Sequence, residues 1–159
     1  ESTAISLFVS MLVLVLLTRR LGQSLVVILP VGLAGAWVVG AMAMLGINWN
    51  VLTIMITALT IGLGIDYSIH VWRRIEANRS SGMGTWEAMR DMYSTTGTAL
   101  LLSAGTTICG FMVLLLSPIP VIQDFGIVSS ISVLFSLVMA LLVLPGLLAA
   151  EFRTSGDYT

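Results

Sequence analysis

The sequence predicts an all-α, polytopic membrane protein that crosses the bilayer five times and folds as a compact bundle. Three observations carry this. Of 159 residues, 57% are hydrophobic and 9% charged, too little charge to cover a soluble domain of this size. The mean hydropathy is +1.04. The apolar residues form continuous runs of the length a spanning helix needs, about 20 residues, whereas barrel strands alternate over about ten.

Each element follows from its own stretch. The first span, 2–18, contains "AISLFVSMLVLVLL". The second, 25–45, carries Pro30 in its first turns, where proline is cheap. The third, 50–72, runs from Asn50 past His70. The fourth is 98–117, and Pro118 and Pro120 separate it from the fifth, 121–150, in which Pro145 invites a kink. A polar tail, 151–159, follows. "RRLGQS", "GINWN" and "SPIPVIQ" are short connections, which make neighbouring spans antiparallel. The one long connection is 75–96. Within it, "TWEAMRDMY" places Trp86, Met89 and Tyr93 on one face of a short interfacial helix, about 85–94, with Thr85 as its cap. Such a helix serves as a connector or as a mechanical coupling element.

All seven basic residues are arginines: Arg19, Arg20, Arg73, Arg74, Arg79, Arg90 and Arg153. With five spans they all fall on one side, which the positive-inside rule makes cytoplasmic. The N-terminus then faces outward, the C-terminus inward, and the expected location is the cell membrane. The start lacks a basic region and a small-residue cleavage site, so it reads as a segment of a longer polypeptide rather than a signal peptide. Cys109 alone can form neither an internal disulfide nor a multi-cysteine metal site. No phosphate loop, metal-ligand cluster or nucleic-acid patch appears, so no cofactor is expected.

One residue stands out. Asp66 lies sixteen residues after Asn50, which at 1.5 Å per residue is about 24 Å along the helix. An aspartate there costs about 2.5–3.5 kcal/mol to insert, and intramembrane acids are functional by default. A carboxyl kept from water favours its neutral form, so the position suits a group that takes up and releases a proton, or a cation site such as one for sodium. His70 is one turn further along the same face and is a candidate relay. Tyr67 can offer its hydroxyl. Gly62 and Gly64 allow a second helix to approach and shield the acid. The fourth span offers Ser103, Thr106 and Thr107 as hydroxyl partners.

"GLGIDYSIH" resembles the fourth-helix motif of the resistance-nodulation-division superfamily, in its MmpL, Patched and hopanoid-exporter-like branches. Gly62 and Asp66-Tyr67 fill the Gly-x-x-x-Asp-Tyr positions. Downstream, Asp124-Phe125-Gly126 and Leu144–Leu148 are similar to the opening and end of the sixth helix. The resemblance implies five helices of one transporter half, two to six or eight to twelve, similar to a sterol-sensing domain. It further implies proton- or sodium-driven export of hydrophobic or lipid-like molecules, with Asp66 as the coupling acid. Its expected partners are membrane lipid, the driving ion, and the other transmembrane half with the extracytoplasmic domains, or a second copy of the chain. The alternative is a sterol- or lipid-sensing module without transport. Enzyme chemistry is not expected. An intramembrane aspartyl protease needs two apposed acids, and the other acids lie outside the spans or, like Asp124, at the outer start of one. A serine protease would need a nucleophile beside the sole histidine.

Overall fold

The computed structural model of the protein describes residues 21–47 and 51–148. The expected first span, 2–18, and the tail, 151–159, lie outside these residues. The described chain is helical: α1 (Leu21–Leu45), α2 (Val51–Ser80), α3 (Thr85–Met92), α4 (Thr98–Met112) and α5 (Pro120–Val138), the last continued through a π-helical turn, Met139–Val143, into one more helical turn, 144–148, counted here as the end of α5. Four helical segments among the described residues are long and apolar enough to cross a membrane.

α1 and α2 stop in the same way. Gly46, at φ 67°, follows α1, and Gly82, at φ 91°, follows α2; both conformations favour glycine. After α1, the Ile47 N–H donates to Met42 O at 3.1 Å and the Gly46 N–H to Ala43 O at 3.4 Å. After α2, the Met83 N–H donates to Asn78 O at 3.2 Å and the Gly82 N–H to Arg79 O at 2.9 Å. These paired bonds satisfy the last carbonyls of each helix. At the other end of the bundle, Pro120 opens α5 in the first helical turn, where its missing N–H costs nothing.

Three boundaries differ from the sequence expectation. α1 starts at Leu21, so Pro30 lies well inside the helix. α2 runs to Ser80 rather than ending near 72, because nothing breaks it before Gly82. The supposed long connection 75–96 is therefore mostly helix, and the true turn is 81–84. Third, α3 is not separate from the next helix. It passes into α4 through a π-helical turn, Tyr93–Gly97, with no non-helical residue between them. Its N-cap is Gly84, not Thr85, and makes no side-chain capping bond.

The expected apolar face of α3 is also rotated. Ala88, Met89 and Met92 are buried, while Trp86 is 82% exposed. Asp91 explains this orientation. Its Oδ2 accepts from Arg74 Nε at 2.9 Å and from Asn78 Nδ2 at 2.7 Å, both on α2. With Asp91 turned to α2, Ala88 and Met92 point into the bundle beside Ile75.

α2 packs against both α1 and α5, and α4 packs against the far side of α5. Apolar side chains of α2, α3 and α5 (Val71, Ile75, Met92, Val133 and Leu144) form the main cluster towards the arginine-rich end. Val38, Met42, Ile56 and Val128 form a second one nearer the other end. Gly126 permits the tightest approach: a Cβ there would stand 2.8 Å from Phe111 O.

Candidate ion-coupling site

α2 has two unlike faces. One is sealed in the bundle. Thr60, Ser68 and Val71 are buried on it, and a Cβ on Gly64 would meet Val31 Cγ1 at 3.3 Å and Ser136 Oγ at 3.5 Å. The other face carries Gly62, Asp66, His70 and Arg73, all exposed on the bundle surface. These positions recur every three or four residues, so they stack along one side of the helix. Tyr67, next to the acid in sequence, turns the other way and is buried with Val71 in the main apolar cluster.

The sequence led us to expect α4 to close over Asp66. It does not. α4 packs on α5, and a cleft of about 420 Å³ opens between α2 and the start of α4, lined by His70, Arg74, Thr95, Thr96, Leu100 and Ser103. His70 and Ser103 thus share a cleft, which Asp66 does not line. Thr106 and Thr107 spend their hydroxyls locally: both donate to Ser103 O, at 2.8 and 2.9 Å. Back-bonding of this kind is the default for threonine inside a helix. Gly62 shields nothing within the described residues, since no atom lies within 4 Å of where its Cβ would be. Of the two glycines, only Gly64 makes a close helix contact.

The sequence reading missed a buried hydroxyl seam. Ser129, Ser130, Ser132 and Ser136 of α5 and Thr60 and Ser68 of α2 are all buried. Thr60 Oγ1 donates to Ile56 O at 2.8 Å, and Ser136 Oγ reaches Thr60 O at 3.5 Å. The signal was present in "VSSISVLFS", where four serines interrupt an otherwise apolar span. Small hydroxyl residues of this kind let membrane helices pack closely. Below the site, the Asp91–Arg74–Asn78 cluster ties α3 to the end of α2. The Asn78 amide first, and then the Arg74 guanidinium, hold the Asp91 carboxyl below the usual carboxylate range, against the opposing effect of burial. No group of three or more metal-ligating side chains occurs among the described residues.

Among the described residues, four helical segments are long and apolar enough to cross a membrane, and one of them carries the exposed Asp66. The profile described as MMPL family matches residues 2–154. The chain belongs to the MMPL family. Its relatives agree with the resemblance read from "GLGIDYSIH". This MMPL-family chain is similar to a membrane protein of Methanocaldococcus jannaschii, 35% identical over 96% of the chain and 39% of that protein. It is similar to Protein patched homolog 1 of Danio rerio, 28% identical over 80% of the chain and 11% of that protein. It is also similar to MmpL4 of Mycobacterium leprae, named a probable transport protein, 27% identical over 95% of the chain and 16% of that protein. The chain thus spans well under half the length of these relatives.

Proposed function

We propose that this chain is the membrane domain of one half of a proton-coupled exporter of hydrophobic or lipid-like molecules, with Asp66 as the proton carrier. One observation carries the reading: Asp66, His70 and Gly62 line a face of α2 that no other described element covers. A carboxyl on such a face cannot rest against acyl chains without a penalty of about 2.5–3.5 kcal/mol. A second protein surface against this face removes the penalty. It also supplies what coupling needs, a wall whose movement opens Asp66 first to one side and then to the other. The surface is a second transmembrane half or a second copy of the chain. An electrical gradient then supplies about 2.3 kcal/mol per charge per 100 mV. The cleft lined by His70, Thr95 and Ser103 supports a water route between Asp66 and the arginine-rich side, which the positive-inside rule makes cytoplasmic. His70 acts as the relay there, and Tyr67 braces the helix from within the bundle.

The test is efflux of a fluorescent phospholipid from energised membrane vesicles holding the intact protein. Asp66→Asn at normal expression is expected to abolish efflux, as is a protonophore in the wild type. Efflux that survives the protonophore but needs sodium reassigns the coupling ion. The Patched relatives favour a second reading, a sterol- or lipid-sensing module without transport. In that case ligand affinity is unchanged in Asp66→Asn and no ion uptake accompanies binding.

A further inference from the structure

We propose that a groove at the arginine-rich end of the bundle binds an anionic phospholipid of the adjacent leaflet, its phosphate on Arg90 and one acyl chain along α5. The proposal rests on the chain's lying in a membrane and not on Asp66 carrying a proton. The groove, of about 660 Å³, lies between α3 and the end of α5. Trp86, Met89 and Tyr93 form one wall, and Leu142 and Pro145 the other. Gly146 leaves the floor open, because a Cβ there would meet nothing within 4 Å.

The groove is held in shape by a bond between two π-helical turns. Pro145 has no N–H to give the carbonyl one turn back, that of Leu141. α5 loosens there into a π-helical turn, Met139–Val143. The Tyr93 hydroxyl, from the turn that joins α3 to α4, donates to Leu141 O at 2.6 Å. The walls are thereby tied together above the groove, and it exists before any ligand arrives.

Chemistry selects the occupant. Among the described residues, Arg90 is the one charged residue that lines the groove, and it is exposed. A guanidinium at an apolar opening complements an anionic headgroup that carries a hydrocarbon tail. The level is right for a headgroup. α3 lies beyond the apolar part of α2, beside Arg74, and Trp86 stands out from it as tryptophans do at a membrane interface. From the groove, Leu142, Val138 and Leu134 continue up α5 at four-residue spacing, all exposed, and give an acyl chain a track into the bilayer.

Native mass spectrometry of the protein, extracted from membranes containing phosphatidylglycerol and phosphatidylcholine in equal amounts, tests this. The wild type is expected to retain phosphatidylglycerol about five-fold over phosphatidylcholine, whose choline offsets its phosphate charge, the ratio given by the attraction of one arginine to net anionic lipid. Arg90→Gln should bring the ratio close to one. Arg73→Gln, an exposed arginine outside the groove, should leave it unchanged. Equal retention by the wild type, or loss of preference with Arg73→Gln as complete as with Arg90→Gln, overturns the proposal. A second measurement guards against a misfolded variant and against another occupant. With Trp37→Phe, Trp49→Phe and Trp72→Phe, Trp86 is the sole tryptophan in the protein in nanodiscs. Phosphatidylglycerol brominated on its acyl chains should quench it more strongly than the brominated choline lipid, and Gly146→Leu should reduce that quenching. Absence of quenching means that protein, not lipid, covers the groove, and the proposal fails.

Discussion

Gly62 and Gly64 stand two residues apart on one helix and belong to different surfaces. Gly64 faces Val31 of α1 and Ser136 of α5, so close that a methyl group would have to displace a neighbour. Gly62 faces nothing among the described residues. The same division holds one turn on, where Ser68 is buried and Asp66 is exposed. One face of α2 is therefore specified by packing within the bundle, and the other is free to be specified by something outside it. The difference teaches where to look for function. Residues on the closed face are fixed by volume. A carboxyl, an imidazole and an arginine on the open face have no packing reason to be there.

The comparison makes its largest stability prediction at Gly64. Gly64→Leu drives a whole side chain into the contact of α1, α2 and α5. Overpacking of this kind costs about 1–3 kcal/mol, so the melting temperature in detergent should fall clearly. Gly64→Ala should cost less, because the nearest atoms are methyl groups of Val31, which can shift by a few tenths of an ångström. A Gly64→Leu protein as stable as the wild type would mean that the closed face is not closed.

A smaller effect is expected where the turn between α3 and α4 meets the π-helical turn after α5. Tyr93→Phe removes the hydroxyl that serves Leu141 O. The typical net loss is about 0.5–1.5 kcal/mol. Local hydrogen exchange around the two π-helical turns should rise more than global stability falls, because the bond joins two turns and closes no core. Exchange spread evenly over the chain would instead assign Tyr93 to the global core.

The Asp91 cluster gives the pH dependence. Asn78 and Arg74 lower the pKa of Asp91 in the folded protein. A group with a depressed folded pKa contributes stability that is fully present above its unfolded pKa and is lost as pH falls through the folded one. Protection of the 81–84 turn, with the intrinsic pH dependence of amide exchange divided out, should therefore be flat from neutral pH down to the ordinary aspartate range and be lost only below it. Asp91→Asn should show the looser turn at every pH. The pair is part-exposed, with Arg74 and Asp91 side chains 41% and 31% exposed, so the effect is local and falls with salt.

Much of this was legible in the sequence, because a membrane simplifies the code. Continuous apolar runs marked the spans, and Pro118-Ile119-Pro120 marked the break before α5. The face shared by Asp66 and His70 followed from four-residue spacing alone. Helix ends were less legible. Gly82 looked like any loop glycine, and only its positive φ identifies it as the residue that stops α2. The rotation of α3 was hidden because its hydrophobic pattern fits either face; the bonds from Asp91 to Arg74 and Asn78 decide it, and these lie 17 and 13 residues away. The cover over Asp66 was misplaced for a similar reason. Small and hydroxyl-bearing residues in α4 suggested contact with α2, yet such residues pack equally well against α5, and that is where α4 goes.

The smallest folding effect and the most informative functional one meet at Gly62. Nothing among the described residues approaches it, so Gly62→Leu should change stability by no more than about 0.5 kcal/mol, the range for surface positions. The membrane gives the position a second meaning. If the Asp66 face is covered by a second half or a second copy, the added side chain stands in that interface one turn from the acid, where small residues permit close approach. Phospholipid efflux should then fall as severely as in Asp66→Asn while the melting temperature stays with the wild type. Gly64→Leu should reverse the pattern, losing stability first. A Gly62→Leu protein that exports normally would leave the open face facing lipid, and a carboxyl facing lipid has no stable charged state to carry between the two sides.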